Sequence, residues 1–163
     1  MIDQIVAVLA LGFLLWTFFR FSMGLRWAKV SREDARAAEQ ARGRRVVAEI
    51  PLPNEEIVFF VEDEDGFYWG GRQVRKRDVR GARLLLNGGI MMGVSRDGER
   101  LPEPSASEDY EGRERWEVLL FMDAGGTERI ACGTLREGVS REIAGRVFEA
   151  VRSAVRPGKV IGE

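Results

Sequence analysis

Ile5-Val-Ala-Val-Leu-Ala-Leu-Gly-Phe-Leu-Leu-Trp-Thr-Phe-Phe19 is a stretch of fifteen residues without a charge, and thirteen of them are apolar. Beyond Arg20 the apolar character resumes at Phe21, Met23 and Leu25. A bilayer core of about 30 Å needs about 20 helical residues at about 1.5 Å rise each. Ile5 to Leu25 meets that length if Arg20 bends its stem toward the headgroups. The stretch therefore predicts an N-terminal transmembrane helix over residues 1–27. A cleaved leader would begin with basic residues and end on a small-residue site. Here the chain opens Met1-Ile2-Asp3-Gln4, and the run ends in aromatics and arginine.

The flanks set the expected orientation. Between Arg20 and Arg45 lie eight basic residues (Arg20, Arg26, Lys29, Arg32, Arg36, Arg42, Arg44, Arg45) and three acids (Glu33, Asp34, Glu39), a net of +5. Positive charge stays on the cytoplasmic side, so the reading is single-pass in the inner membrane, with the N-terminus outside and the body cytoplasmic. Trp16, Arg20, Arg26, Trp27 and Lys29 are the expected membrane-interface residues. Ala7, Ala10 and Gly12 are small enough to admit a neighbouring helix, although they do not make Gly-x-x-x-Gly.

Residues 28–43 read as a helical juxtamembrane arm, opened by Ser31-Arg-Glu-Asp34, rich in alanine and closed by Gly43. Residues 44–163 are enough for one domain with one modest core. Charge over the whole chain is nearly balanced, 25 Lys and Arg against 26 Asp and Glu, which speaks against nucleic acid as a partner.

Composition also limits the chemistry. The chain has no histidine and one cysteine, Cys132. Ser-His-Asp and Cys-His catalysis, zinc sites of His and Cys, and intramolecular disulfides are excluded. No glycine-rich phosphate loop of either common type is present, and Gly88-Gly89 and Gly125-Gly126 sit in turn contexts. The acidic run Glu62-Asp-Glu-Asp65 lacks the spacing of a calcium loop and reads as a wet turn. No cofactor, metal or catalytic residue is expected, and the chain reads as a non-enzyme.

Hydropathy in the body alternates as strands do. Arg45–Ile50, Glu56–Val61 and Phe67–Trp69 read as strands, with Asp65-Gly66 as a hairpin turn and Arg72–Arg77 continuing as a basic edge. Arg83–Leu86 and Ile90–Val94 form a second hairpin around Asn87-Gly88. Both its arms are apolar on both faces, so at least part of it should be central or covered. Ser95–Arg113 reads as the least structured region. Arg115–Met122 and Thr127–Cys132 make a third hairpin. A C-terminal helix is expected over 140–156, with Ser140 as N-cap, Ile143, Val147, Val151 and Val155 on one stripe, Phe148 as deepest anchor, and Pro157-Gly158 as the stop.

Hairpins followed by one helix give an α+β class, a small antiparallel sheet or barrel capped by a C-terminal helix. The order of the hairpins Ile57–Val74, Arg83–Val94 and Trp116–Cys132, then the helix Ser140–Val155, resembles bacterial pleckstrin-homology-like domains tethered to a membrane by an N-terminal helix. No residue-level motif comes with that resemblance. Arg72, Arg75, Lys76, Arg77 and Arg80 form a basic cluster suited to anionic headgroups or an acidic partner, or else simply a charged edge. The leading functional expectation is a non-catalytic accessory or scaffold subunit contacting a larger integral membrane complex. The alternative is an anionic-lipid or ligand sensor, with membrane lipid as the other partner.

Overall fold

The computed structural model describes residues 2–51, 57–96, 98–103, 114–133 and 137–155; the side chains of 2–10, 21–30 and 137–138 lie outside that description. The chain divides into two compact units, Met1–Arg42 and Gly43–Glu163.

The first unit is one helix, α1 (Ile2–Ala41), unbroken at Ser31. It ends where the sequence reading places its stop, with Gly43 in the left-handed region at φ 76°. The expected transmembrane span is corrected. Among the described residues no helix is long and apolar enough to cross a membrane. The uncharged run of fifteen residues rises about 22 Å against a core of about 30 Å. Extending it depends on Arg20, whose guanidinium instead turns back one helical turn and lies 5.6 Å from the Trp16 ring centroid. The membrane assignment, the single-pass topology and the inner-membrane location fall with it.

The second unit is α+β, as its hairpin pattern predicts. Its strands are β1 (Arg45–Pro51), β2 (Ile57–Glu62), β3 (Gly66–Trp69), β4 (Arg72–Arg75), β5 (Val79–Leu86), β6 (Gly89–Ser95), β7 (Trp116–Met122) and β8 (Thr127–Ala131). The helix α2 (Glu137–Val155) follows them. One sheet runs β1-β2-β3-β4 and the other β6-β5-β7-β8, with every pairing antiparallel. A 3-10 turn, Lys76–Asp78, links the two sheets.

One core serves both sheets and α2. Phe60 stacks on Phe67 with ring centroids 5.6 Å apart and leans on Trp69 at 5.7 Å. Val118, Leu120 and Ile130 of the second sheet join them with Ala144, Val147, Phe148, Val151 and Val155 of the helix. Phe148 is buried as expected, while Ile143 is only half-buried. The helix begins three residues before Ser140, so that serine is no N-cap. Ser140 is buried, and a β-carbon placed on Gly133 would lie 3.4 Å from its Oγ. The expected stop at Pro157-Gly158 lies outside the described residues.

A second, smaller cluster occupies the other face of the second sheet: Leu85, Leu119, Phe121 and Leu101. Leu101 falls in the region expected to be least structured, yet it is buried. Gly81 makes the space. A β-carbon there would lie 2.7 Å from the Val94 carbonyl oxygen and 2.9 Å from Leu101 Cδ1. The remainder of that region, residues 104–113, lies outside the described residues.

Candidate interaction edge

Two sheets have four edges, β1, β4, β6 and β8. An open edge presents unpaired backbone donors and acceptors, and proteins ordinarily guard it with charges, proline or bulges. β1 carries Arg45, Glu49 and Pro51; β4 carries Arg72 and Arg75; β8 carries Glu128 and Arg129. β6 reads Gly-Ile-Met-Met-Gly-Val-Ser, without a charge or a proline. Its centre is open to solvent, with Ile90 50%, Met91 54% and Met92 46% exposed.

The expectation that at least part of this hairpin is central holds through β5, and β6 is its outer arm. β5 is paired on both sides, between β6 and β7. Its alternate residues serve the two clusters: Ala82 and Leu84 face the main core, and Leu85 faces the smaller one. Apolar residues on both faces of β6 have the same sequence signature, but among the described residues β6 has a neighbouring strand on one side only.

The strand is held firmly at both ends. Asn87, at φ 49°, and Gly88, at φ 79°, make the tight turn that the Asn-Gly pair predicts. Asn87 Oδ1 accepts the Arg115 amide at 2.8 Å, and the Asn87 amide donates to the Arg115 carbonyl at 3.0 Å. At the other end Arg96, the first charge after the strand, turns away from the edge. Its Nη1 donates to Asp123 at 3.0 Å, and its Nη2 donates to the carbonyls of Arg77 and Val79 at 2.6 Å.

The hydrogen-bond phase of the edge follows from Arg96, whose amide donates to the Arg80 carbonyl at 2.8 Å. In an antiparallel pair alternate residues bond inward. Val94 and Met92, opposite Ala82 and Leu84, therefore bond to β5, and Gly93 and Ser95 turn their N–H and C=O to the open side. A register shift makes Met91 an extra residue, because Met92 faces Leu84 while Ile90 faces Leu85. The bulge places Ile90 on the same face as Leu85 and Met92 on the face of Leu84, so both faces of the edge are apolar.

The expected basic cluster takes a different form. Arg72 lies 2.5 Å from Glu128, Arg75 2.7 Å from Asp78, Lys76 3.0 Å from Glu62, Arg77 3.8 Å from Asp78 and Arg80 3.9 Å from Glu99. Lys76 Nζ also donates to the Asp63 carbonyl at 2.6 Å. The five cations thus face four carboxylates of the same chain, Arg75 and Arg77 sharing Asp78. An open cleft of about 460 Å³ beside Gln73, Val74, Arg75, Asp78, Met122 and Glu128 holds charges of both signs.

Of the expected helix residues, Trp16 and Arg20 are exposed, and nothing lies within 4 Å of a β-carbon placed on Gly12. The side chains of Ala7, Ala10, Arg26, Trp27 and Lys29 lie outside the described residues. No group of three or more acidic or thiol residues able to hold a metal occurs among the described residues. Cys132 is buried, and its thiol is pushed up to about 12 by burial and then by the negative charge of Glu117. A thiol held that far above neutrality is a poor nucleophile.

Sequence reasoning missed the β6 edge, since its exposure depends on which strands pair. The signal that could have found it is an apolar strand without a gatekeeper charge beside three edges that have one. The chain matches no protein-family model, no characterised protein and no solved structure. None of the comparisons identifies the chain as pleckstrin-homology-like.

Proposed function

We propose that this chain is a non-catalytic accessory or scaffold module that works by protein–protein contact, and that the contact is made along β6. The single observation that carries this reading is the uncharged edge strand Gly89–Ser95, exposed from Gly89 to Gly93, in a domain whose other three edges are guarded. Strand addition to such an edge takes its affinity from main-chain hydrogen bonds and its selectivity from alternate side chains. Ile90 and Met92 would supply the side-chain part on opposite faces. Met91 adds a flexible thioether surface of the kind that adapts to a partner.

The anion-sensing alternative has less behind it, because each basic residue it needs already faces a carboxylate. An enzymatic reading finds little support in a buried, neutral thiol and a chain without histidine.

The test is Met91→Lys in tagged full-length protein isolated from its source. A charge at this exposed position guards the edge without entering the core. The wild type is expected to travel in a stoichiometric assembly, with itself or with another protein, and the variant to leave it with an unchanged circular dichroism spectrum, its fold intact. A variant that stays in the assembly, or a wild type that is monomeric and alone, contradicts the reading.

A further inference from the structure

The geometry points to a second copy of this chain as the occupant of β6, paired antiparallel about a two-fold axis to make one continuous eight-stranded sheet from two four-stranded ones. This inference rests on β6 being the contact edge and adds the identity of what covers it.

The argument is one of charge and symmetry. In an isologous contact each residue meets residues of the same short strand, so a charge near the axis meets its own copy. Like charges directly opposite in a sheet are destabilising. An edge that pairs with its own copy is therefore best without charge near the axis, whereas one meant for a different chain gains selectivity from complementary charges. β6 meets the first condition through seven residues, and the first charge beyond it, Arg96, is bound to Asp123 and two carbonyls on its own molecule.

The outward-facing groups give the register. Gly93 and Ser95 turn their N–H and C=O away from β5, with no partner among the described residues, so a two-fold at Gly93 sets Gly93 against Gly93 of the second copy and Ser95 against its Met91. Met92 then lies beside Val94 of the second copy in a close, non-hydrogen-bonded pair, apolar on apolar. Gly93 at the axis brings no side chain to the crossing. Met91 and Ile90 then lie beside Ser95 and Arg96 of the second copy, so the exposed apolar centre of the edge gains a neighbouring strand.

Seven residues of strand extend about 24 Å, which is a small contact by the standards of obligate dimers. The dimer is accordingly concentration-dependent and responds to single substitutions.

The experiment uses the full chain, so that α1 is the same in every variant. Gly93→Cys places a thiol at the proposed axis. A β-carbon there meets only Arg83 Cγ at 3.7 Å and the Ala82 carbonyl at 3.8 Å, both ordinary contacts. Paired residues about 5.5 Å apart at Cα are within disulfide reach, and the native Cys132 is buried. Under oxidised glutathione Gly93→Cys is expected to form a covalent dimer, while Thr127→Cys on the exposed β8 edge does not. Sedimentation should show association that Met91→Lys weakens by about tenfold or more. A Gly93→Cys dimer no more abundant than the Thr127→Cys control, or association unchanged in Met91→Lys, overturns the inference. If Met91→Lys nonetheless releases a different protein, the interaction-module reading stands and only the second copy is refuted. If it releases nothing, both fall.

Discussion

Arg83 donates Nη2 to the carbonyl oxygen of Leu101 at 2.7 Å, fastening a chain segment eighteen positions later onto the outer face of the second sheet. Its Nη1 takes the Pro102 carbonyl at 2.6 Å, and its guanidinium carbon lies 5.5 Å from the Phe121 ring centroid. The outer face would otherwise present Leu85, Leu119 and Phe121 to water, so the fork of one arginine holds Leu101 in place as their cover. With that face closed, the apolar surface of β6 stands out as an exception within the second sheet.

Gly81→Ala tests the fit of that cover. The added methyl meets the Val94 carbonyl and both methyls of Leu101, and backbone cannot yield as a side-chain tip does. Overpacking of this kind costs about 1–3 kcal/mol. A lowered thermal midpoint with increased binding of a hydrophobic dye is the expected result.

The buried Glu117 predicts an asymmetry between two substitutions. Its carboxylate is 1% exposed, with Arg115 Nη2 2.5 Å from Oε1 and Arg129 Nη1 3.1 Å from Oε2. Both arginines keep access to water, so Glu117→Leu strands no buried charge and should cost about 1 kcal/mol or less. Arg129→Met leaves the carboxylate half-partnered and buried, and should cost about 2–3 kcal/mol. Chemical denaturation of the two variants decides it, and equal costs would refute the argument.

Cys132 predicts both reactivity and alkaline behaviour. Folded, its thiol titrates at about 12, while in the unfolded chain it titrates near 8.5. Below about pH 8 both states are protonated and the thiol adds no pH dependence. Between those two values the unfolded chain alone loses the proton, so stability falls as pH rises. Iodoacetamide at pH 8 should leave the folded protein unmodified and label it fully in denaturant. Cys132→Ala should flatten the alkaline branch of the stability curve.

Asp63 governs the acid side. Burial pushes its carboxyl up, but the Tyr68 hydroxyl, then the amides of Gly66 and Asp65, then Arg44 outweigh it and hold it below the usual range. A carboxyl depressed in the folded state stabilises above its unfolded value of about 3.9, and that contribution is lost as pH falls through the folded value. Tyr68→Phe should raise the Asp63 midpoint in a proton-detected titration and flatten the acid branch. An unmoved midpoint would show that the hydroxyl contributes nothing.

Local patterns carried much of the second unit. Asn87-Gly88 announces its turn because few residues accept the positive φ that both positions take, whereas at Asp65-Gly66 the bend is made by Asp63, whose carboxylate accepts the amides of Asp65 and Gly66, and Gly66 already belongs to β3. Val147, Val151 and Val155 mark the buried side of α2 by their spacing. What was not legible depends on distance along the chain. β5 pairs with β7 across about thirty residues, and this leaves β6 at the edge although its composition matches a buried strand. The basic cluster misled for the same reason, since Glu128 and Glu99 reach Arg72 and Arg80 only in the folded sheets. For α1 the apolar run was plain in the sequence, but whether Arg20 lengthened it rested on a side-chain direction that sequence does not encode.

Hydrogen exchange at the amides of Gly93 and Ser95 tests the central claim most directly, because these are the groups β6 turns outward. In the assembled full-length protein both amides should exchange at least about tenfold more slowly than in the Met91→Lys variant, as amides in a paired strand do. Fast and equal exchange in both proteins would mean that nothing pairs with this edge, and would contradict the account.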